Sequence, residues 1–234
     1  MFYCGPAIDV GLHSTAIGVL CFAIDGAARL TFDGERREPL AATSVFTPAG
    51  LRHAISFDCE RIACLYVDPT SDDARRLTRG MRPHPSGALS DYPGEDKVRG
   101  IVASLAAGAV RAKEVKSRLA AAFELPAPSG ADPRIARSIG RLRSRPGDAN
   151  RLAELASEAG LSPSRFRHLF KAATGVSVKR YRLWTRIGAA MKSARAGATL
   201  TSAAHEAGFA SSAHFASAYR DMFGFAPSVL LKRV

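Results

Sequence analysis

Residues 152–175 read LAELASEAGLSPSRFRHLFKAATG, and residues 200–224 read LTSAAHEAGFASSAHFASAYRDMFG. The two stretches are copies of one pattern. Up to the turn they are offset by 48 residues, as in Ala156 with Ala204, Glu158 with Glu206 and Gly160 with Gly208. Beyond it the offset is 49, since Phe166 matches Phe215, Phe170 matches Tyr219 and Gly175 matches Gly224. The second copy therefore has one extra residue in its turn. Each copy spells a helix-turn-helix: a short helix with small inward residues, a glycine where the chain turns left-handed, an N-cap, and a second helix. In the first copy Ser162 caps and Pro163 opens the second helix. Ala153, Ala156 and Ala203 let two helices cross closely, while Phe166, Leu169 and Phe170 anchor the second helix by its apolar side. Its other face is left free. One Ala-rich helical hairpin closed by glycine is ordinary helical-bundle syntax; two copies with matching glycines and aromatic anchors are not.

The charge distribution supports this reading. The chain carries a formal charge of +12. Residues 1–131 hold 15 Lys and Arg against 15 Asp and Glu, whereas residues 132–234 hold 18 against 6, so the last 103 residues carry the whole surplus. A block this basic suits nucleic acid, an anionic membrane surface or an acidic protein, and only the fold decides among them. The N-terminus has no basic region followed by an apolar run, and no stretch approaches the roughly 20 apolar residues of a membrane span, so a cytoplasmic chain with no membrane partner is expected.

Working outward, 234 residues with 47% apolar content predict two domains. Between Thr15 and Asp68 short apolar runs such as IGVLCFAI and IACLYVDP alternate with turn residues, and Asp25-Gly26 and Asp33-Gly34 are dipeptides that close tight hairpins. This reads as a small antiparallel β domain. The polar, Pro- and Gly-rich stretch 71–91 reads as a boundary or irregular connection. Val98, Ile101, Val102 and Leu105 then recur at helical spacing, and a second helical stretch ends at Leu119 and Phe123 before the break 126–130. Asp132 caps a new helix that Pro133 opens. The expected organisation is an α+β chain: a β domain over 1–94, a helical linker over 95–131, and an all-α domain over 132–234 with two helix-turn-helix units joined by a long helix. Cys4, Cys21, Cys59 and Cys64 show no CxxC pair or zinc-type array and read as reduced thiols, with a redox pairing of Cys59 and Cys64 resting on proximity alone.

With its connecting helix SVKRYRLWTRIGAAMKSA and its closing GFASSAHFASAYRDMFGFAPS, the segment from Asp132 to Arg233 resembles the DNA-binding domain of the AraC/XylS family. Gly208-Phe209, Phe215, Tyr219, Phe223-Gly224 and Pro227 are in register with that family's signature, and Val178 stands where it often has Pro. The resemblance implies a sequence-specific transcription regulator whose partner is double-stranded DNA, with the second helix of each unit entering the major groove. In the first unit, removing the anchors leaves Ser164, Arg165, Arg167, His168 and Lys171. By resemblance Ser164, Arg167 and His168 face bases, Arg167 as a two-pronged donor to guanine, while Arg165 and Lys171 grip phosphate. In the second unit Ser212, Ala213, His214 and Ser217 are the base-facing candidates, with Ala216 beside them, and Arg220 holds phosphate. Ser217 stands where family members often place Arg, so the first unit is expected to carry most of the specificity. The bland alternative for each is a solvated helix face. Tyr181 and Trp184 are read as packing residues of the connecting helix, and Arg141, Arg143 and Arg145 either contact the DNA backbone or form a soluble helix end.

The family commonly joins this domain to a cupin-like β barrel that binds a small effector, and TPAGLRH (47–53) resembles a turn and strand start of such barrels. A small-molecule effector and RNA polymerase are thus the further partners implied. A cupin enzyme needs a metal cluster such as HxH followed by a carboxylate. His13 and His53 are isolated in the sequence, so no metal, no cofactor and no catalytic residue is expected. Both remain candidates for an effector pocket, against structural or surface histidines. The helices over 95–123 either form a homodimer contact or cover one face of the barrel. An architectural, nonspecific DNA binder and, further off, a cupin-type metalloenzyme are the competing readings.

Overall fold

The computed structural model describes residues 2–33, 38–67, 77–106, 132–149 and 151–231, together with positions 114, 118 and 121. The chain divides into two compact units, Met1–Gly130 and Ala131–Val234.

In the first unit β1 (Phe2–Pro6), β3 (Gly18–Ala23), β6 (Ser44–Thr47), β8 (Arg61–Val67), β9 (Arg82–Pro83) and β10 (Leu89–Ser90) form an antiparallel sheet in the order β1-β8-β3-β6-β10-β9. A second sheet holds β2 (Val10–His13), β4 (Ala28–Phe32), β5 (Leu40–Ala42) and β7 (His53–Phe57) in the order β2-β7-β4-β5. The continuous apolar run of β3 has a simple cause: both of its faces are covered. Alternate residues feed two apolar clusters, as the period of a strand requires. Val19 and Cys21 pack with Leu30, Ile55 and Cys64. Leu20 and Phe22 pack with Phe46, Val98 and Val102, the last two from helix α1 (Glu95–Ala106). Of the two placements open to the stripe of α1, the side chains of Val98 and Val102 therefore lie against the β sheet. The helix start is held by Glu95, whose carboxylate accepts from Thr43 Oγ1 at 2.8 Å and Ser44 Oγ at 2.8 Å.

Several local expectations are corrected. Asp25-Gly26 does not close a hairpin. β3 pairs with β6 and β8, and β4 pairs with β5 and β7, so the turn carries the chain from one sheet to the other. Glycine is needed there because a Cβ on Gly26 would lie 2.8 Å from the Asp58 carbonyl oxygen. β4 and β5 do pair, with Leu30 opposite Leu40, but Gly34 in their connection lies outside the described residues. The Pro- and Gly-rich stretch contributes β9 and β10 to the large sheet, and Pro83 is tolerated because β9 is its edge strand. β1 and β2 precede the point at which the β pattern is legible in the sequence. Of the helical stretch ending at Leu119 and Phe123, Glu114, Arg118 and Ala121 are helical and the remainder, like 126–130, lies outside the described residues.

The second unit comprises α2 (Pro133–Ser144), α3 (Leu152–Glu158), α4 (Pro163–Thr174), α5 (Val178–Arg195), α6 (Leu200–Glu206), α7 (Ser212–Phe223) and the short α8 (Pro227–Leu231). Side-chain caps start these helices where the sequence supplies them. Asp132 accepts from the Arg134 backbone N–H at 2.9 Å, Ser162 from that of Arg165 at 3.2 Å, and Ser211 from that of His214 at 3.1 Å. Each such cap contributes about 1 kcal/mol. Gly160 and Gly208, at φ of 63° and 81°, make the left-handed turns inside the two units, where a side chain would be strained. No helix among the described residues is long and apolar enough to cross a membrane.

Candidate nucleic-acid interface

Each recognition helix is fixed by aromatic residues at helical spacing. Phe166 and Phe170 on α4 and Phe215 and Tyr219 on α7 are at most 1% exposed, which holds each helix by one face and leaves the opposite one outward. Burying each ring contributes about 1.5–3 kcal/mol. On α4 the outward face presents Ser164, Arg165, Arg167, His168 and Lys171, all exposed. On α7 it presents Ala213, His214, Ser217 and Arg220, exposed, with Ser212 and Ala216 half-buried. The His214 ring stands edge-on to Phe209 with centroids 5.4 Å apart, so its orientation is partly set by packing. Among the described residues, Arg165, Arg167, Lys171 and Arg220 are engaged in no ion pair, and their charge is not spent inside the domain.

The loop joining the two helices of a unit spans four residues between α3 and α4 and five between α6 and α7, so the extra residue lies in the turn. α5 runs between the units from the Ser177 cap, as the sequence predicts. Tyr181 is fully buried against Phe170, with ring centroids 5.5 Å apart, and half-buried Trp184 packs on Tyr181 at the same separation. Arg141 and Arg143, at the end of α2, are engaged within the domain rather than left for DNA. Arg143 Nε donates to Tyr181 Oη at 3.0 Å, and the guanidinium of Arg141 pairs with the Glu158 carboxylate. Sequence reasoning did not single out Arg182 and Arg186 of α5. Arg182 Nη2 donates to the Ala149 carbonyl, and Arg186 Nε donates to the Ala207 carbonyl at 2.9 Å while its guanidinium lies 4.6 Å from the centre of the Phe209 ring. Their one-turn spacing was the available signal, but only the fold reveals the carbonyls they reach.

In the first unit the two histidines that look isolated in the sequence are cross-strand neighbours. His13 of β2 sits opposite His53 of β7, both are buried, and their ring centroids are 4.5 Å apart. Each Nδ1 lies against a backbone carbonyl, His13 on Gly11 at 2.9 Å and His53 on Leu51 at 3.0 Å. Burial pulls the His53 pKa down to about 4, the charge of His13 adds to the effect, and the hydrogen bond to Leu51 opposes it. Among the described residues no group of three or more His, Cys, Asp and Glu comes together as a metal site. Cys64 meets Cys21 rather than Cys59: Cys21 and Cys64 are cross-strand partners with sulfurs 2.7 Å apart, while the Cys59 thiol turns to the Arg61 carbonyl at 3.2 Å. All four thiols are free.

Two helix-turn-helix units in one basic domain, each with an aromatic-anchored helix presenting a polar face, define a DNA-binding transcription regulator. Residues 155–233, about a third of the chain, match the family described as a helix-turn-helix domain, and the C-terminal unit is a helix-turn-helix domain of the AraC type. The fold is similar to that of ToxT from Vibrio cholerae. Apo ToxT is similar with a TM-score of 0.65 at 12% identity, covering 100% of this chain and 97% of that one. ToxT bound to an unsaturated fatty acid gives a TM-score of 0.62 at 13% identity over 100% and 95%. ToxT bound to (E)-4-(8-methylnaphthalen-1-yl)but-3-enoic acid gives 0.64 at 12% over 99% and 98%. No curated protein matches the chain in sequence.

Proposed function

We propose that this regulator is sequence-specific, with its first helix-turn-helix unit supplying most of the base readout. The observation that carries the proposal is the outward face of α4, where Arg167 and His168 stand exposed beside Ser164 on a helix held by two fully buried phenylalanines. In this reading Arg167 donates two hydrogen bonds to one guanine, His168 and Ser164 meet neighbouring base edges, and Arg165 and Lys171 neutralise phosphates. The second unit positions the domain. Ala213, Ser212, His214 and Ser217 offer short contacts to bases, and Arg220 holds phosphate. The poverty of that face in long polar side chains favours one second reading, an architectural binder.

The first unit is proposed to hold a small effector, with the buried, facing pair His13 and His53 as its polar contacts. The two ToxT ligands, each an apolar body ending in a carboxylic acid, support an effector of that general kind. Val98 and Val102 of α1 pack on the β sheet, so a homodimer would draw on the remainder of 95–123 or on other surfaces. The chain is read as a cytoplasmic regulator acting with RNA polymerase, and as no enzyme.

Titration of the full chain against a duplex from upstream of its own gene and a scrambled duplex of equal length, near physiological salt, tests this. The native duplex is expected to bind about a thousandfold or more tighter. Arg167→Ala should cost about 1–3 kcal/mol on the native duplex and little on the scrambled one. Arg165→Ala should weaken both alike and lower the salt slope by about one. Equal binding of both duplexes, repeated with fragments selected from the whole genome, would leave the architectural reading in its place.

A further inference from the structure

Two recognition helices on one chain act together only if both the distance and the rotation between them are held. The rod of α5 supplies the distance, but a single helix touching each unit does not by itself lock rotation at both ends. The structure contains a second connection that bypasses the rod. The loop 145–149, which leads into the first unit, lies directly against the turn of the second. A Cβ on Gly147 would lie 3.1 Å from the Glu206 carbonyl oxygen, and one on Gly208 would lie 3.1 Å from the Gly147 carbonyl oxygen and 3.2 Å from Arg186 Nη2. The backbones approach this closely because both positions are glycine.

Both partners of this contact are tied to α5 from below by residues one helical turn apart. Arg182 reaches the Ala149 carbonyl on the loop side. Arg186 reaches the Ala207 carbonyl on the turn side and stacks on Phe209, which in turn packs against Phe215 of α7 with centroids 5.3 Å apart. The chain of contacts thus runs from the loop before α3, through the turn, to an anchor of the second recognition helix.

We propose that the loop 145–149, clamped by Arg182 and Arg186 onto the turn of the second unit, is a spacing gauge: it fixes α7 relative to α4 so that the domain accepts one separation between its two half-sites. Arg182, Arg186 and Gly147 are positioning residues. None of them needs to touch a base, yet together they set which arrangements of half-sites bind. A change of one base pair displaces the second half-site by about 3.4 Å and turns it about the duplex axis, and a locked pair of helices cannot follow it.

The proposal rests on sequence-specific binding, and the experiment separates the two. The full-length wild type is first used to select a bound sequence from a random duplex library; if no sequence is enriched, specific binding itself fails before any variant is made. From the selected site, duplexes are built with one base pair removed, or one or two added, between the half-sites. Wild type is expected to lose about tenfold or more for each step, comparable to a poor base pair. Arg186→Ala should flatten this profile to within about threefold while a base substitution inside either half-site still costs its usual factor. Arg186→Lys keeps the charge and stem but lacks the planar stack and the fork, so it keeps the domain folded and should flatten the profile as well. A wild type indifferent to spacing would overturn the proposal. So would a folded Arg186→Lys that keeps the wild-type profile, which would show that the spacing is set without the Arg186 clamp, or one that loses affinity equally at every spacing, which is the signature of a phosphate contact.

Discussion

His53 shows how much of a residue's chemistry is set by the strand beside it. In the unfolded chain it titrates near 6.5, whereas β7 buries it against His13 and its pKa falls to about 4. The unfolded chain then binds more protons than the folded one between those two values, so folding loses stability as the pH falls through that window and keeps it in full above it. The contribution at stake is about 3 kcal/mol, reached as the pH nears 4. Urea unfolding of the full chain at pH 7 and pH 4.5 should show a clearly steeper acid loss for wild type than for His53→Gln, and parallel losses would remove the buried pair from the account. The same scale explains what Arg141 and Arg143 do. Arg141, Arg143 and Arg145 read in the sequence as DNA-backbone contacts or a soluble helix end, but Glu158 engages Arg141 and the Tyr181 hydroxyl engages Arg143, both brought close only by the fold.

At the scale of elements, the recognition helices stand or fall with their anchors. Phe166 and Phe215 occupy equivalent places in the two units and both are fully buried. Replacing either with Ala should cost about 3–5 kcal/mol of stability, read as a lowered denaturation midpoint of the second unit, whereas Ser164→Ala on the outward face should change it by less than about 0.5 kcal/mol. The starts of α2 and α4 were legible in the sequence because Asp132 and Ser162 act locally, each capping the helix that follows it, and Ser177 and Ser211 do the same for α5 and α7. The outward faces of α4 and α7 were legible for a related reason: a helix buried by aromatics at fixed spacing has only one way to point. The sheet was less legible, because pairing is decided far along the chain. Nothing near Asp25 says that β3 finds its partners in β6 and β8, and nothing near His13 says that it will face His53. The pairing of Cys64 with Cys21 instead of the nearer Cys59 has the same origin, since strand neighbours and sequence neighbours differ.

The whole molecule has two units, each with its own buried interior. The first is built around β3, and the second around Ile135, Leu142, Phe166, Tyr181 and Phe215. Separate cores predict separate melting. Calorimetry of the full chain should resolve two transitions, with duplex DNA raising only the one that belongs to the second unit; a single transition that moves as a whole would show the units to be thermodynamically one body. Their division of charge fits this separation, since the surplus of +12 lies entirely in residues 132–234. The turn that is one residue longer in the second helix-turn-helix unit has a wider effect. With that insertion, and with Ala216 standing where the first unit has Arg167, no rotation maps one reading head onto the other. A protein with two-fold symmetry sees a palindrome and is blind to which way a gene runs. In the proposed reading this chain lies on its site with a head and a tail, so the site is an arrow, and turning it end for end beside a promoter would present the opposite side of the first helix-turn-helix unit to everything bound there.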